Sequence, residues 1–469
     1  MTIAPPAKNR IDPGVAKIAA VLIVGVLAVV FDTTIVSVAL HTLGRDLQAS
    51  VATIQWVSTA FLLTLGIAIP LAGWGQARFG GKRVWMLALL IFLVGSVACS
   101  LAWDAGSLIA FRALQGFGGG LMLPLLATII VQASGGKGLG NIMSVVSLPT
   151  ALGPILGPVA GGLILSALDW RWLFWVNVPF CVVGLILAWR ILPNDEATSR
   201  QPLDVLGFVL LSPGFVGVLY GLSNVGKDGG FARGDVLAPV LIGLVLIVAF
   251  VLHALRKRER ALVDIRLLRH RGVWSASVLL FLSGASLYGA MLLLPLYWQD
   301  VRGFDALGAG LMLAPQGVGA LASRFFAGRL TDSLGAKWVA IGGFVIVALA
   351  TVPFAFATAA TDQWALMGVL LVRGFGLGAV LVPLMTVAYI GLDRSDVPHA
   401  SIITRIVQQI GGSFGVALLA VILEGALAGL GGATLADGFD RAFWWAIGFT
   451  VLGVAVAFAL PTKRADPAQ

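Results

Sequence analysis

The sequence predicts an all-α protein that crosses a membrane many times, and three observations carry that prediction. The 469-residue chain is 59% hydrophobic and only 11% charged, too little charge to cover a soluble fold of that length. Apolar runs of about 20 residues or more, long enough to cross a bilayer as helices, recur along the whole chain. The basic residues fall in alternate loops between those runs, which is the charge bias of a multi-pass membrane protein.

The net charge of +9 therefore reads as topology, and no nucleic-acid partner is expected. Cys99 and Cys181 lie inside apolar runs and read as small core residues rather than a disulfide or thiolate site. The four histidines (His41, His253, His270, His399) show no ligand spacing, so no metal is expected. Lys8, Arg10 and Lys17 precede the first run as in a secretory leader. That run nevertheless outlasts a leader core, holds Asp32 and offers no convincing cleavage site, so a retained first span is expected.

Taken in order, the runs lie at roughly 16–41, 51–75, 82–103, 106–132, 139–166, 171–192, 204–224, 235–255, 272–298, 306–328, 336–358, 363–390, 398–427 and 440–461. The expectation is fourteen spans, which puts both termini on one side. The N-terminus, the even-to-odd loops and the C-terminus hold about 21 of the 31 Lys and Arg, so both termini are expected in the cytoplasm. The opposite loops hold Arg45, Arg171, Lys227, Arg233, Arg302 and Arg441. The basic segment from Arg256 to Arg271 is expected to lie along the anionic leaflet, with membrane lipid as its partner.

An internal repeat organises the spans. "GWGQARFGGK" (Gly73 to Lys82) after span 2 echoes "GRLTDSLGAK" (Gly328 to Lys337) after span 10, and "QGFGGGLMLPL" from Gln115 echoes "RGFGLGAVLVPL" from Arg373. The offsets are 255 and 258 residues. The expected organisation is a six-helix bundle over 1–195, two inserted helices over 196–260 and a second six-helix bundle over 261–469. Transporters built this way place the binding site between the two halves.

Asp32 lies about 16 residues into span 1, roughly 24 Å from its start. An acid at mid-membrane costs roughly 2.5–3.5 kcal/mol, so its default reading is functional. An unpartnered buried carboxylate favours its neutral form, and such a group can take a proton from one side and release it to the other. The plainer alternative is an acid that only bonds a neighbouring helix. Arg112 in span 4 differs from Asp32 in depth by roughly 5 Å, within side-chain reach if the helices are neighbours. A change in their distance would link protonation to the open side; a static salt bridge closing one end is the alternative.

Further along, Gly73 and Gly80 allow a tight turn between spans 2 and 3, beside Arg78 and Lys82, and the loop reads as a conformational latch with Asp332 in its second copy. The span 5 run "LGPILGPVAGG" places Gly153, Pro154, Gly157 and Pro158 in a helix expected to bend and pack closely. Arg373 aligns with Gln115 in the repeat, and its burial implies an acid, carbonyls or an anionic substrate group as partner. The counterpart of Asp32 falls near Leu287 and Tyr288. The expected substrate contacts are Asp32, Phe61, Gln115, Tyr288, Gln316 and Arg373, which share a mid-to-outer depth.

Together "FDTTIVSVAL", "IQWVSTAFLL", the Gly73 loop, "IAFRALQGFGGG", "LGPILGPVAGG", "WRWLFWVNVPF" and "PLDVLGFVLL" resemble the major facilitator superfamily, specifically its fourteen-span drug:proton antiporter branch (EmrB/QacA-like). The resemblance covers essentially the whole chain. It implies that Asp32 carries the proton, that Arg112 is a coupling residue and that the span 5 run is an antiporter signature. Two departures stand out: the loop's usual acid is absent near Ala77, and Phe61 replaces a common tyrosine. The implied protein is not an enzyme. It is a proton-coupled antiporter of a bacterial cytoplasmic membrane, monomeric, exporting amphiphilic drug-like compounds, often cationic or neutral. No cofactor is expected and no G-x-x-x-x-G-K-[ST] order is present for a nucleotide; the proton gradient is the energy source. Export of one endogenous metabolite or lipid is the alternative within transport. A non-transporting receptor is the alternative outside it, and loss of transport on neutralising Asp32 separates the two classes.

Overall fold

The computed structural model describes residues 12–49, 51–135, 139–194, 202–225, 232–304, 306–393, 395–428 and 435–461. Among them the chain is all-helical, in sixteen α-helices. The first half holds α1 (Pro13–Asp46), α2 (Val51–Ala68), α3 (Leu71–Phe79), α4 (Gly81–Ser100), α5 (Ala105–Ser134), α6 (Leu139–Ala167), α7 (Trp172–Trp175) and α8 (Asn177–Ile191). A hairpin follows, of α9 (Val205–Ser223) and α10 (Gly234–Lys257). The second half holds α11 (Arg271–Leu296), α12 (Ala306–Leu334), α13 (Ala336–Thr351), α14 (Gln363–Tyr389), α15 (Val397–Ala428) and α16 (Leu435–Ala457).

Eleven helices or helix pairs among the described residues are long and apolar enough to cross a membrane, and twelve if the bent pair α2 and α3 is one span. That pair bends by 50° beside Pro70, where proline removes a helical donor. The expected spans at roughly 139–166 and 306–328 correspond to α6 and α12, each 29 residues long, which stand outside that count. Local chemistry places the ends. Asp12 caps α1 by accepting from Gly14 N and Val15 N, and Asp104 with Ser107 forms a capping box at α5.

The repeat is visible in the packing. Gly80 (φ 87°) closes the turn from α3 into α4, and Gly335 (φ 91°) closes the turn from α12 into α13, a conformation that other L-residues resist. Gly116 of α5 lies against the Phe61 carbonyl, and its repeat partner Gly374 of α14 lies against the Gln316 carbonyl; a Cβ at either would collide with backbone. Each half thus closes the same helix pair at the same point.

The hydrophobic core is divided unevenly. One cluster joins both halves at the end that bears the described termini, from Val15 and Val29 of α1 through Leu121 of α5 to Val273 of α11, Val387 of α14 and Leu460. At the opposite end each half has its own core, around Leu43, Val57 and Trp170 in the first and around Tyr297, Phe354 and Phe443 in the second. The cross-half hydrogen bonds follow that division. Ser144 Oγ donates to the Arg324 carbonyl at 2.6 Å, Arg324 Nη1 donates to the Ser147 carbonyl, and Ser401 Oγ donates to the Pro124 carbonyl at 3.2 Å. Gly73 of α3 abuts Pro398 and Ile402 of α15 at that same end.

The α9–α10 hairpin touches both halves. Phe215 of α9 lies against Gly66 of α2, and Ser212 Oγ donates to the Ile67 carbonyl at 3.1 Å. Val218 and Leu222 share a cluster with Ala417 of α15. Its connection to the second half is fixed by Asp204, only 2% exposed. The Asp204 carboxylate accepts from Gly207 N at 3.1 Å, Lys257 Nζ at 2.7 Å and Leu262 N at 3.1 Å, with His253 Nε2 at 3.0 Å. Burial, the largest single influence, pushes this carboxyl up, but the bonds from Lys257, His253, Gly207 and Leu262 together hold it below the usual carboxylate range.

A carboxyl lowered by folding stabilises the fold above its unfolded value, and that contribution is lost as pH falls through the lowered folded value. Asp204→Asn is therefore expected to cost about 1–3 kcal/mol at pH 7. In thermal scans of detergent-solubilised protein the deficit is largest at neutral pH and narrows below about pH 4.

Candidate functional site

Asp32 sits in the middle of α1, fully buried, and four other helices, α2, α4, α5 and α8, contribute to the network around it. Arg112 of α5, 1% exposed, donates from Nη1 to Asp32 Oδ2. Gln115, one turn along α5, donates from Nε2 to Asp32 Oδ1 at 2.9 Å. Asn177, at the start of α8, donates from Nδ2 to the same oxygen at 2.8 Å. Both amides also donate to Ser96 Oγ of α4, at 2.6 Å from Gln115 and 3.0 Å from Asn177. Arg112 is fixed in turn by Gln115 Oε1 at 2.7 Å and by the Val57 carbonyl of α2 at 3.1 Å. The Phe61 ring covers its guanidinium at 4.1 Å from the ring centroid, a cation–π contact in a dry setting.

This is a closed network: every polar group that surrounds Asp32 is itself buried and hydrogen-bonded. Closure is what makes a mid-membrane carboxylate tolerable, because an unpaired buried charge costs several kcal/mol. The sequence brings Asp32, Arg112, Phe61 and Gln115 to notice, and the structure places all four in one cluster. Asn177 and Ser96 complete it. Their signal was a short polar side chain inside an apolar run, Asn177 within the "WRWLFWVNVPF" stretch.

The second half carries a transformed copy of the same cluster. Arg373 occupies the Gln115 position on α14 and donates from Nε to Thr351 Oγ1 at 3.0 Å. Thr351 is the repeat partner of Ser96, at the 255-residue offset. Arg373 Nη1 donates to Gln316 Oε1 at 2.7 Å, and Nη2 reaches the Ser286 carbonyl at 3.5 Å. Tyr288 of α11 packs its ring beside Gly412 of α15. Gln316 and Arg373 are thus bonded to each other, while Tyr288 faces α15, and all three are separate from the Asp32 cluster.

The remaining predicted positions lie elsewhere. Gly73 faces α15, Gly80 forms the α3–α4 turn and Lys82 Nζ donates to the Trp189 carbonyl at 2.8 Å. Arg78 lies in the last turn of α3, and Asp332 lies near the end of α12. In α6, Gly153 lies against Val30 and Gly157 against Thr34 of α1, and Thr34 Oγ1 donates to the Gly153 carbonyl at 3.1 Å. The side chains of Pro154 and Pro158 lie outside the described residues. Among the described residues no group of His, Cys, Asp or Glu is placed to hold a metal.

A family profile described as "Major Facilitator Superfamily" matches residues 22–416. Among curated proteins, the chain is 36% identical over 417 residues to a "Multidrug resistance protein B homolog" of Mycobacterium tuberculosis, covering 88% of this chain and 77% of that one. It is 31% identical over 460 residues to the uncharacterized MFS-type transporter YcnB of Bacillus subtilis, covering 96% of each. The lincomycin resistance protein LmrB of Bacillus subtilis is 29% identical over 396 residues, covering 84% of this chain and 82% of that one. In architecture the chain is similar to the proton:xylose symporter XylE, with a TM-score of 0.66 at 15% identity, over 96% of this chain and 97% of that one.

Removing Arg112 strands a buried carboxylate, whereas removing Asn177 deletes one donor of several. Arg112→Met is expected to destabilise the folded protein by about 3–5 kcal/mol and Asn177→Leu by about 1–3 kcal/mol. Thermal scans of the purified variants in one detergent check the order, and an equal or reversed ranking contradicts the network as drawn.

Proposed function

The chain belongs to the Major Facilitator Superfamily, and on that premise we propose that it is a proton-coupled antiporter exporting amphiphilic drug-like compounds from a bacterial cytoplasm. The observation that carries this reading is the buried Asp32–Arg112 pair in a membrane fold whose relatives include multidrug and lincomycin resistance proteins. In the closed network the carboxylate has its full set of partners. Helix movement that draws α5 away from α1 leaves an acid alone in a low-dielectric site, and such an acid takes up a proton. Return of Arg112 displaces that proton, so protonation and conformation alternate.

The finer architecture belongs to the same reading. α6 and α12 are each 29 residues long, roughly 43 Å at 1.5 Å per residue. Counted as spans with the other twelve, they give fourteen, in the manner of the EmrB/QacA-like branch. The halves are 1–195 and 261–469, with 196–260 inserted. Both termini lie in the cytoplasm by the basic-residue bias. The shared core then closes the cytoplasmic side, and the separate cores leave the other side parted. Gly73, Gly80, Lys82, Gly153 and Gly157 lie at the helix contacts and turns that alternate, and the same conformational role is assigned to Arg78, Pro154, Pro158 and Asp332. The proton gradient is the driving force, worth about 2.3 kcal/mol per charge per 100 mV plus its concentration component. No resident cofactor takes part, and a monomer with its surrounding lipid is the working unit.

Expression in a drug-hypersusceptible bacterium tests the reading. Wild type is expected to raise the inhibitory concentration of lincomycin or of another member of a lipophilic drug panel at least fourfold. Asp32→Asn is expected to abolish the increase at equal membrane abundance. Protection that survives Asp32→Asn moves the proton site elsewhere, and no protection against any compound contradicts drug export.

A further inference from the structure

Charge is balanced in one half and not in the other. The first half pairs Asp32 with Arg112. In the second half, Arg324 and Arg373 are buried, and neither is paired with a carboxylate among the described residues. Arg373 meets only neutral acceptors: Thr351, Gln316 and the Ser286 carbonyl. Arg324 donates to the Ser147 carbonyl, and its Nε has no partner. Arginine does not shed its proton to escape burial, so the second half holds fixed positive charge without a counter-ion, with Arg324 at the contact between the halves.

Arg405 of α15 stands apart from the other two. It makes no hydrogen bond or ion pair among the described residues. It keeps accessible surface on a helix that packs against α11 of its own half and α5 of the other. Both facts hold at once for a side chain lining an interior space. It lies one turn beyond Ser401, the α15 residue that bonds the other half, so it sits just above the closed end. Tyr288 meets the same face of α15, its ring lying against Gly412, about two turns along the helix from Arg405. The repeat accounts for the imbalance: the position matching Asp32 is Leu287, and the position matching Gln115 is Arg373.

A cationic amphiphile entering this space meets uncompensated arginine, while Asp32 is already enclosed by Arg112, Gln115 and Asn177. An acidic headgroup finds the reverse: a guanidinium without an anion, and a phenol to donate beside it. We propose that the substrate is an anionic amphiphile whose acidic headgroup is held by Arg405 and Tyr288, with Arg373 supplying a second positive charge behind them. The proposal rests on the reading of the chain as an amphiphile exporter and reverses the charge preference expected from Asp32 alone.

Three isosteric probes test it: 4-hexylbenzoate, 4-hexylbenzamide and 4-hexylbenzamidinium, measured by calorimetric titration of the purified full chain in maltoside at pH 7.5. Wild type is expected to bind the benzoate at least tenfold tighter than the benzamidinium, with the benzamide between. Arg405→Gln is expected to shrink that ratio below threefold, and Arg405→Lys to restore most of it, which separates lost charge from lost packing. Equal or tighter binding of the benzamidinium by wild type overturns the proposal. So does an unchanged ratio in Arg405→Gln, or no binding of any probe. Binding and export fail separately: charge-selective binding without drug protection in cells counts against the efflux reading and leaves this inference standing.

Discussion

The buried Asp32–Arg112 ion pair is the constraint from which the first half follows. Neither charge can stand in a membrane interior alone, and each must find further partners once the other is there. Those partners come from different helices: Gln115 beside Arg112 on α5, Ser96 on α4, Asn177 on α8, the Val57 carbonyl and Phe61 ring on α2. The network therefore fixes the rotation and depth of five helices relative to one another. The surrounding apolar packing is non-directional and would accept small rotations; the hydrogen bonds do not.

The two halves keep one scaffold and change its contents. Gly116 and Gly374 bring α5 against α2 and α14 against α12, and Gly80 and Gly335 turn the chain at matching points. Within those frames Ser96 becomes Thr351, Phe61 becomes Gln316 and Gln115 becomes Arg373. Keeping those close contacts in both halves fixes where the helices cross in each. The polar positions in the interior differ, and one copy holds an acid with its counter-ion while the other holds cations.

Much of this was legible in the sequence. Helix length and apolar content mark the spans because lipid demands long uninterrupted helices. Asp32 and Arg112 stood out because charge is so rare in those runs. The repeat matched the loop holding Gly80 to the loop holding Gly335. Other features left no local trace. Asn177 and Ser96 look like ordinary small polar residues until α4 and α8 are placed beside α1. The bend at Pro70 was hidden within one apolar run, since hydropathy is indifferent to direction. Phe61 and Gln115 share the depth of Tyr288 and Gln316, but depth does not report which face of a helix a side chain occupies. The surroundings of Arg405, and the attachment of the α9–α10 hairpin through Asp204, depend on helices distant in the chain.

That hairpin has a geometrical consequence for how a greasy molecule could reach the interior from the bilayer. α9 lies along α2 through Phe215 and Ser212 and along α15 through the cluster with Ala417. It fills the seam between the halves on that flank, with the apolar outer face of α10, from Leu237 to Leu255, turned to the surroundings. A lipid tail has no lateral doorway there. Among the described residues no helix covers the opposite seam, where α6 meets α12, so the two flanks face the bilayer differently in a molecule whose halves are otherwise built as near copies.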